Sequence, residues 1–435
     1  MRTYEYERIQ IGEETGAGLS LSNVKDLRLI NDRMRESGII SKDFFKWSGH
    51  NSIKFRHFVG LISFDSISIE ILPKIFKPMG TQIAESKESF DSFVKMLSYV
   101  VGFKEQDFID DYGVLRSRKD SLLDILVLFF TISLKKALKK GLYCRYESNT
   151  ILSEYLSGKI LMEKQLASID QTKLFQETYI HTSNTDLMRY LKTVSNLFTK
   201  IVRSNSIKNE IKRLSKYFEG VETIPTGELK WMDFSFNRLN LQFENAFRQS
   251  KLIINGFSFI SSNESRLKGV SILFDMNRIF EDFITELFKR NLRDIFEVEP
   301  LPEILPQTAT HWLFPESKRK KLRPDIQVIS SNSAKEKVNI FDAKYKRLDS
   351  KNIAEEKESD PIMSDLYQMY AYSTIYKAEN TVILYPSSKT DCKYCDDFSS
   401  DRKFMVWGLD LNLIESRWEE ILVSKLHELV VTYFK

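Results

Sequence analysis

Two aspartates and a lysine near the C-terminal end are of the types that bring a divalent metal to a phosphodiester. They are Asp325 in Arg323-Pro324-Asp325-Ile326, and Asp342 and Lys344 in Phe341-Asp342-Ala343-Lys344-Tyr345. Val338, Ile340, Asp342 and Lys344 alternate along a β-rich run, so a side-chain period of two sets them on one sheet face. Pro324 can open a strand, where its missing N–H costs little. Ile326, Val328 and Ile329 give the residues after it a β bias. The polar linker 330–337 between the two runs is turn-like. A hairpin centred near Ser333 and Ala334 puts Asp325 opposite Asp342. Antiparallel neighbours lie about 4.5–5.5 Å apart at Cβ, a spacing at which two carboxylates can share one Mg²⁺. Such an ion (with Mn²⁺ as a substitute) takes oxygen ligands and keeps several waters, and a water whose pKa it lowers is a nucleophile. Lys344 could orient that water or offset charge on phosphate oxygens. The plain alternative is a surface hairpin with an ordinary Asp–Lys pair, since Asp-x-Lys by itself is common.

Two further residues must come from helices. Met276, Ile279, Phe280, Phe283, Ile284, Leu287 and Phe288 follow an i, i+3, i+4, i+7 stripe, which predicts an amphipathic helix with Glu281 on its flank. After the hairpin, 366–372 reads as a second helix with Gln368 beside its apolar face. Alone, each is a solvated Glu or a boundary Gln. Together the five residues resemble the PD-(D/E)XK nuclease core. In that family a helix glutamate, a strand Asp, an Asp/Glu-x-Lys on the next strand and a glutamine on the following helix surround the metal. Glu281, Asp325, Asp342, Lys344 and Gln368 occur in that order.

Bulk properties are those of an ordinary soluble protein. The 435 residues, 42% hydrophobic and 29% charged, suggest two or three domains. A net charge of +4 does not by itself argue for nucleic acid; only a local patch could. Such a patch exists in Lys318, Arg319, Lys320, Lys321 and Arg323, which could neutralise DNA phosphates near the scissile bond or simply be a solvated loop. The longest apolar stretch, near 125–134, is too short to span a bilayer. Three cysteines describe no disulfide framework and fit a reducing cytoplasm. Cys392-Lys393-Tyr394-Cys395 lacks the further ligands zinc requires and reads as inert thiols.

Along the chain, 1–84 reads as a β-rich domain, with strands at 58–65 and 67–74. Residues 85–265 read as a mainly helical middle domain, with stripes from Phe90, from Leu122 and from Leu187. Residues 266–435 read as an α/β nuclease domain, a mixed sheet flanked by helices. The segment 351–360 is polar and charged. Gly158-Lys159 is no Walker A loop, because Gly-x4-Gly-Lys-Ser/Thr is unmet on both sides.

Several blocks resemble the McrC family, the nuclease subunit of modified-cytosine restriction systems. They are Val59-Gly60-Leu61-Ile62 with Ile69-Glu70-Ile71-Leu72-Pro73-Lys74, Gly141-Leu142-Tyr143-Cys144-Arg145-Tyr146, and Leu156-Ser157-Gly158-Lys159-Ile160. Phe274-Asp275-Met276 and the two halves of the hairpin come after them in the same order. Ser157 departs from the arginine expected before the glycine. The resemblance implies an Mg²⁺-dependent DNA endonuclease that activates a separate McrB-like AAA+ GTPase and cuts double-stranded, modified DNA. It implies Asp325, Asp342 and the Ala343 carbonyl as metal ligands, Lys344 beside the attacking water, and Glu281 and Gln368 holding outer waters. A stand-alone repair nuclease and a non-catalytic adaptor that activates a motor are the alternatives.

Overall fold

The computed structural model describes all residues except 13–18, 37, 39, 65–66, 77–82, 103–121, 170–171, 262–267, 299, 315, 333–334, 347–360, 388–390, 400, 412, 414–416 and 435. The polar segment 351–360 and the hairpin centre at Ser333 and Ala334 therefore lie outside the described residues. The chain is mixed α/β. Its packing follows a different division from the three segments 1–84, 85–265 and 266–435. Met1–Ile109 and Ser258–Lys435 form one compact unit and Asp110–Phe257 a second.

Pairing distant in sequence explains that division. Strand Phe58–Phe64 is buried along its whole length, so both of its faces and both of its edges need cover. Strand Ile67–Leu72 pairs with one edge, and Lys268–Asp275 pairs antiparallel with the other. The first residues thus share a sheet with a segment two hundred positions on. Gly60 makes the close approach possible. Its φ is +143°, and a Cβ there would lie 2.0 Å from the carbonyl oxygen of Ile272. Ile62, Phe64, Ile69 and Ile71 pack against Leu27, Ile30 and Met34 of helix Leu21–Glu36 to make this core.

The second sheet of this unit has six strands in the order Glu303–Pro306, Ile326–Asn332, Lys335–Ala343, Asn380–Ser387, Arg402–Asp410, Asp391–Ser399. The first three are antiparallel neighbours, the next two pairings are parallel, and the last is antiparallel. Parallel strands are covered on both faces, and here helices cover both. On one face, Met369, Tyr372 and Tyr376 of helix Pro361–Tyr376 pack on Ile340, Ile383 and Tyr385. On the other, Phe341 meets Phe288 of helix Met276–Arg290 at 4.7 Å between ring centroids, and Phe434 at 5.7 Å. Trp407 meets Tyr433 of helix Trp418–Tyr433. Each large side chain buried here contributes about 1.5–3 kcal/mol. The linker 330–337, expected to be a turn, is mostly strand, paired from Ile326↔Phe341 to Asn332↔Lys335.

The second unit contains the expected helices Leu122–Leu138 and Asp186–Ile201; the second is capped by Thr185, whose side chain accepts from Met188 N. It also contains a three-stranded sheet that the helical expectation overlooked. Arg145–Ser153 pairs antiparallel with Leu174–Thr182 through nine residue pairs, and Lys159–Ile160 flanks the latter. Gly158 enters that sheet edge because a Cβ would come within 2.2 Å of the Glu177 carbonyl oxygen. No helix among the described residues is long and apolar enough to cross a membrane.

Candidate active site

Register brings the two aspartates to one end of the hairpin. The paired ladder ends at Ile326 opposite Phe341, with Asp325 immediately before Ile326 and Asp342 immediately after Phe341. Residues directly opposite in an antiparallel pair point to the same face. Asp325 Oδ2 accepts a hydrogen bond from the Ala343 N–H at 2.8 Å, which fixes its carboxylate at the end of the hairpin. Asp342 is 1% exposed. Lys344 Nζ lies 2.5 Å from its Oδ2, as the period-two spacing requires. The Lys344 N–H in turn donates to the Leu384 carbonyl, tying the strand end to the sheet.

Glu281 arrives from the helix Met276–Arg290, whose start is set by Asp275 accepting from Asn277 N at 3.0 Å. Phe280 and Phe283 are buried on the stripe, and Glu281 sits on its flank, partly buried. Gln307 Nε2 donates to Glu281 Oε2 at 3.4 Å. Gln368, from the helix over the sheet's other face, donates to the Tyr372 hydroxyl at 2.8 Å, which donates to the Arg323 carbonyl at 3.1 Å. The hydrogen bond described for Gln368 thus goes to a tyrosine rather than to a carboxylate.

The three acids act on one another. Burial first, then the charges of Asp342 and Glu281, push Asp325 up to about 8. Burial raises Glu281 to about 7, with Lys344 opposing and Asp342 adding. Burial also raises Asp342, against the pull of Lys344. For Lys344, burial works to lower the pKa, but the Asp342 and Asp325 charges outweigh it and the ammonium is held more firmly protonated. A cluster in which each carboxylate resists ionisation is one that a cation would relieve.

A metal fits these residues on one direct observation. Asp342 Oδ1 is buried and has no hydrogen-bond partner among the described residues. Such an oxygen costs free energy unless something pairs with it. Mg²⁺ is commonly held by one or two carboxylates, with waters and substrate phosphates completing the shell. Asp325 and Asp342 supply that number. No group of three His, Cys, Asp or Glu side chains among the described residues could hold an ion by itself. Cys392 and Cys395 lie on the edge strand Asp391–Ser399.

The structure adds residues that the spacing did not single out. Asp365, buried on the helix Pro361–Tyr376, accepts from Lys346 Nζ at 2.6 Å and from the Tyr385 hydroxyl at 2.7 Å, and its charge raises Asp342. The available signal was that Lys346 follows Lys344 by two just past the strand end and Asp365 precedes Gln368 by three on the helix. Gln307 joins Arg323 to Glu281: Arg323 Nε donates to the Gln307 carbonyl at 2.8 Å and Arg323 Nη2 to Gln307 Oε1 at 2.7 Å. Its loop position, with φ +46°, carries no periodicity that could have pointed to it. Tyr345, next to Lys344, donates through its hydroxyl to Glu5 Oε1 at 2.5 Å. Lys74 closes this contact, its backbone N–H donating to the same oxygen at 2.9 Å and its Nζ to the Tyr345 carbonyl at 3.4 Å.

The basic run lies beside this site. Arg319–Leu322 is one strand of a two-stranded ribbon with His311–Phe314, not a loop. Arg319, Lys320, Lys321 and Arg323 are exposed.

Comparison with known proteins agrees with this architecture. No curated protein matches the chain. A chain from the refined half-complex of a tetradecameric assembly of Thermococcus gammatolerans McrB AAA+ hexamers with bound McrC superposes with a TM-score of 0.63. The match covers 99% of each chain at 21% identity. A chain from the cryo-EM structure of the Thermococcus gammatolerans McrBC complex superposes with a TM-score of 0.50 at 23% identity, covering 67% of this chain and 88% of that one. At such identities the likeness establishes the fold. The family described as McrBC 5-methylcytosine restriction system component matches residues 53–386, a span that takes in the Gly60 strand, the Glu281 helix, both aspartates and Gln368, and the chain belongs to that family.

Proposed function

We propose that the chain is a McrC-like endonuclease subunit of a restriction system, hydrolysing DNA phosphodiesters with Mg²⁺ on a PD-(D/E)XK core. The observation that carries this reading is the convergence of Asp325, Asp342 and Lys344 at one end of a hairpin, with a buried Asp342 oxygen left unpartnered. Asp325 and Asp342 hold the ion, with the Ala343 carbonyl as a further ligand. When bound, the ion lowers the pKa of its water and draws charge from the phosphate. Lys344, kept protonated by Asp342, orients the attacking water and faces the charge that grows on the phosphate oxygens. Glu281 and Gln368 hold outer waters, Glu281 steadied by Gln307. Lys318, Arg319, Lys320, Lys321 and Arg323 contact the DNA backbone.

The partner in this reading is a separate McrB-like AAA+ GTPase, by analogy with the Thermococcus gammatolerans assemblies, and the substrate is double-stranded DNA carrying modified cytosine. The test reads two activities at once. With the motor, GTP and Mg²⁺ present, Asp342→Ala abolishes cleavage and leaves motor binding and GTPase stimulation intact. If the unaltered chain binds and stimulates the motor yet never cuts, it is an adaptor. If it cuts without nucleotide or motor, it is a stand-alone nuclease.

A further inference from the structure

The ribbon beside the site has two unlike faces. His311 pairs with Leu322, Trp312 with Lys321, and Phe314 with Arg319. One face is anchored. The His311 ring meets Tyr376 at 4.5 Å, the Tyr376 hydroxyl donates to the Leu322 carbonyl at 2.9 Å, and Leu322 packs on the core beneath the helix that carries Gln368. Alternation along His311–Phe314 turns Trp312 and Phe314 to the other face, and their cross-strand partners Lys321 and Arg319 go with them. Phe314 is 54% exposed, although a phenylalanine gains by burial. Lys321 Nζ stands 5.4 Å from the centre of the Trp312 ring. Lys320, within the strand, has φ +55°, a left-handed conformation unfavourable for a long side chain.

Exposed Phe314, Arg319 and Lys321 share this face with a half-buried Trp312, and rings beside cations are the groups that bind single-stranded nucleic acid, phosphates pairing with the cations and bases stacking on the rings. The spacing suits this. Residues two apart on a strand are about 6.6–6.8 Å apart, about twice the 3.4 Å step of stacked bases, so one base fits between Trp312 and Phe314. The distance to the chemistry is short. Asp325 is four positions after Lys321, a reach of at most about 14 Å.

We propose that the outward face of this ribbon holds an unpaired DNA strand beside the cleavage site, one base stacking on Trp312 and Phe314 and the adjoining phosphates pairing with Arg319 and Lys321. Lys321 exchanges the Trp312 ring for a phosphate and frees that ring face for the base. The proposal rests on the nuclease reading for the choice of DNA as the polymer and for the cleavage site it adjoins.

Binding of the full chain to fluorescently labelled single-stranded and closed duplex DNA, measured by anisotropy in EDTA, tests it without cleavage. Trp312→Ala is expected to weaken single-strand binding about tenfold and duplex binding far less. Trp312→Phe, which keeps a ring, restores most of it. Phe314→Ala, at an exposed position where folding is not at risk, shows the same preference at smaller size. Arg319→Ala and Lys321→Ala each reduce the salt slope by about one. The proposal is overturned if both aromatic variants bind single strands as the parent does, if they lose single-strand and duplex binding equally, or if the parent binds no single strand. Cleavage is followed separately with Mg²⁺ and the motor. Loss of strand preference in a chain that still cuts sinks the ribbon alone, and a stacking effect in a chain that never cuts sinks the nuclease reading alone.

Discussion

The six-stranded sheet around Asp342 and the three-stranded sheet at 145–182 are built against opposite expectations. In the first, strand Asn380–Ser387 is buried almost end to end, and into that apolar setting the chain places Asp342, Asp325 and Asp365. In the second, apolar groups face water: Tyr155 is 79% exposed and Tyr179 67%. Stability alone would exchange the two, since buried charge costs free energy unless paired and exposed apolar surface forgoes the gain of burial. If these acids form the proposed site, strands hold the carboxylates in place better than a loop would. The second leaves Tyr146, Tyr155 and Tyr179 more than half exposed. The two sheets thus depart from what packing prefers in opposite directions.

The sharpest way to break this contrast is at Asp342. Asp342→Ala should lower cleavage by about 100- to 1000-fold or more, the scale seen when a group that stabilises a transition state is lost; a loss below tenfold in an initial-rate assay would remove the residue from the site. Packing comes next. Ile383→Ala, beside Asp342 on the neighbouring buried strand, should destabilise by about 2–5 kcal/mol in urea unfolding. The acids themselves should work against stability. Glu281 and Asp325 hold their protons to about 7 and about 8, against ordinary values of 4.5 and 3.8. An acid whose folded pKa is raised contributes stability that is full below its unfolded pKa and is lost as pH rises through its folded pKa. The metal-free chain should therefore melt at lower temperature at pH 8.5 than at pH 5.5. Added Mg²⁺ should narrow the gap, and more Mg²⁺ should be needed as pH falls below about 7, because protons compete for the same oxygens. Asp342→Asn should raise the metal-free melting temperature at pH 8 while removing activity; a lower one would mean that the charge is compensated in the free protein. The smallest effect belongs to the exposed sheet. Tyr179→Ser should change the stability of the isolated chain by no more than about 0.5 kcal/mol, and a larger loss would mean that the ring is covered.

What could be read from the amino acids was set by local periodicity. Asp325, Asp342 and Lys344 were legible because a hairpin fixes parity, so counting outward from 333–334 is enough. Glu281 was legible because the Met276–Phe288 stripe leaves it on a flank. Gln368 was legible only as a position, since its partner Tyr372 is one helical turn away and its orientation depends on Arg323. The pairing of Phe58–Phe64 with Lys268–Asp275 left no local trace, as no rule of spacing links segments two hundred residues apart. The sheet at 145–182 was missed because it is polar and exposed: Arg145–Ser153 buries no residue, so no alternation of apolar residues announces it. Asp365 looked like any acid near a helix start, and only its contacts with Lys346 and Tyr385 set it apart.

The Tyr345–Glu5 hydrogen bond has a consequence for how the chain is made. Acceptor and donor are 340 positions apart, so on the ribosome Glu5 is completed long before the tyrosine that will use it. Until then a carboxylate destined for burial has only water and Lys74 to satisfy it. The segment that carries Lys344 and Tyr345 therefore packs on residues made 340 positions earlier, and closing so long a loop is a slow, late event in folding.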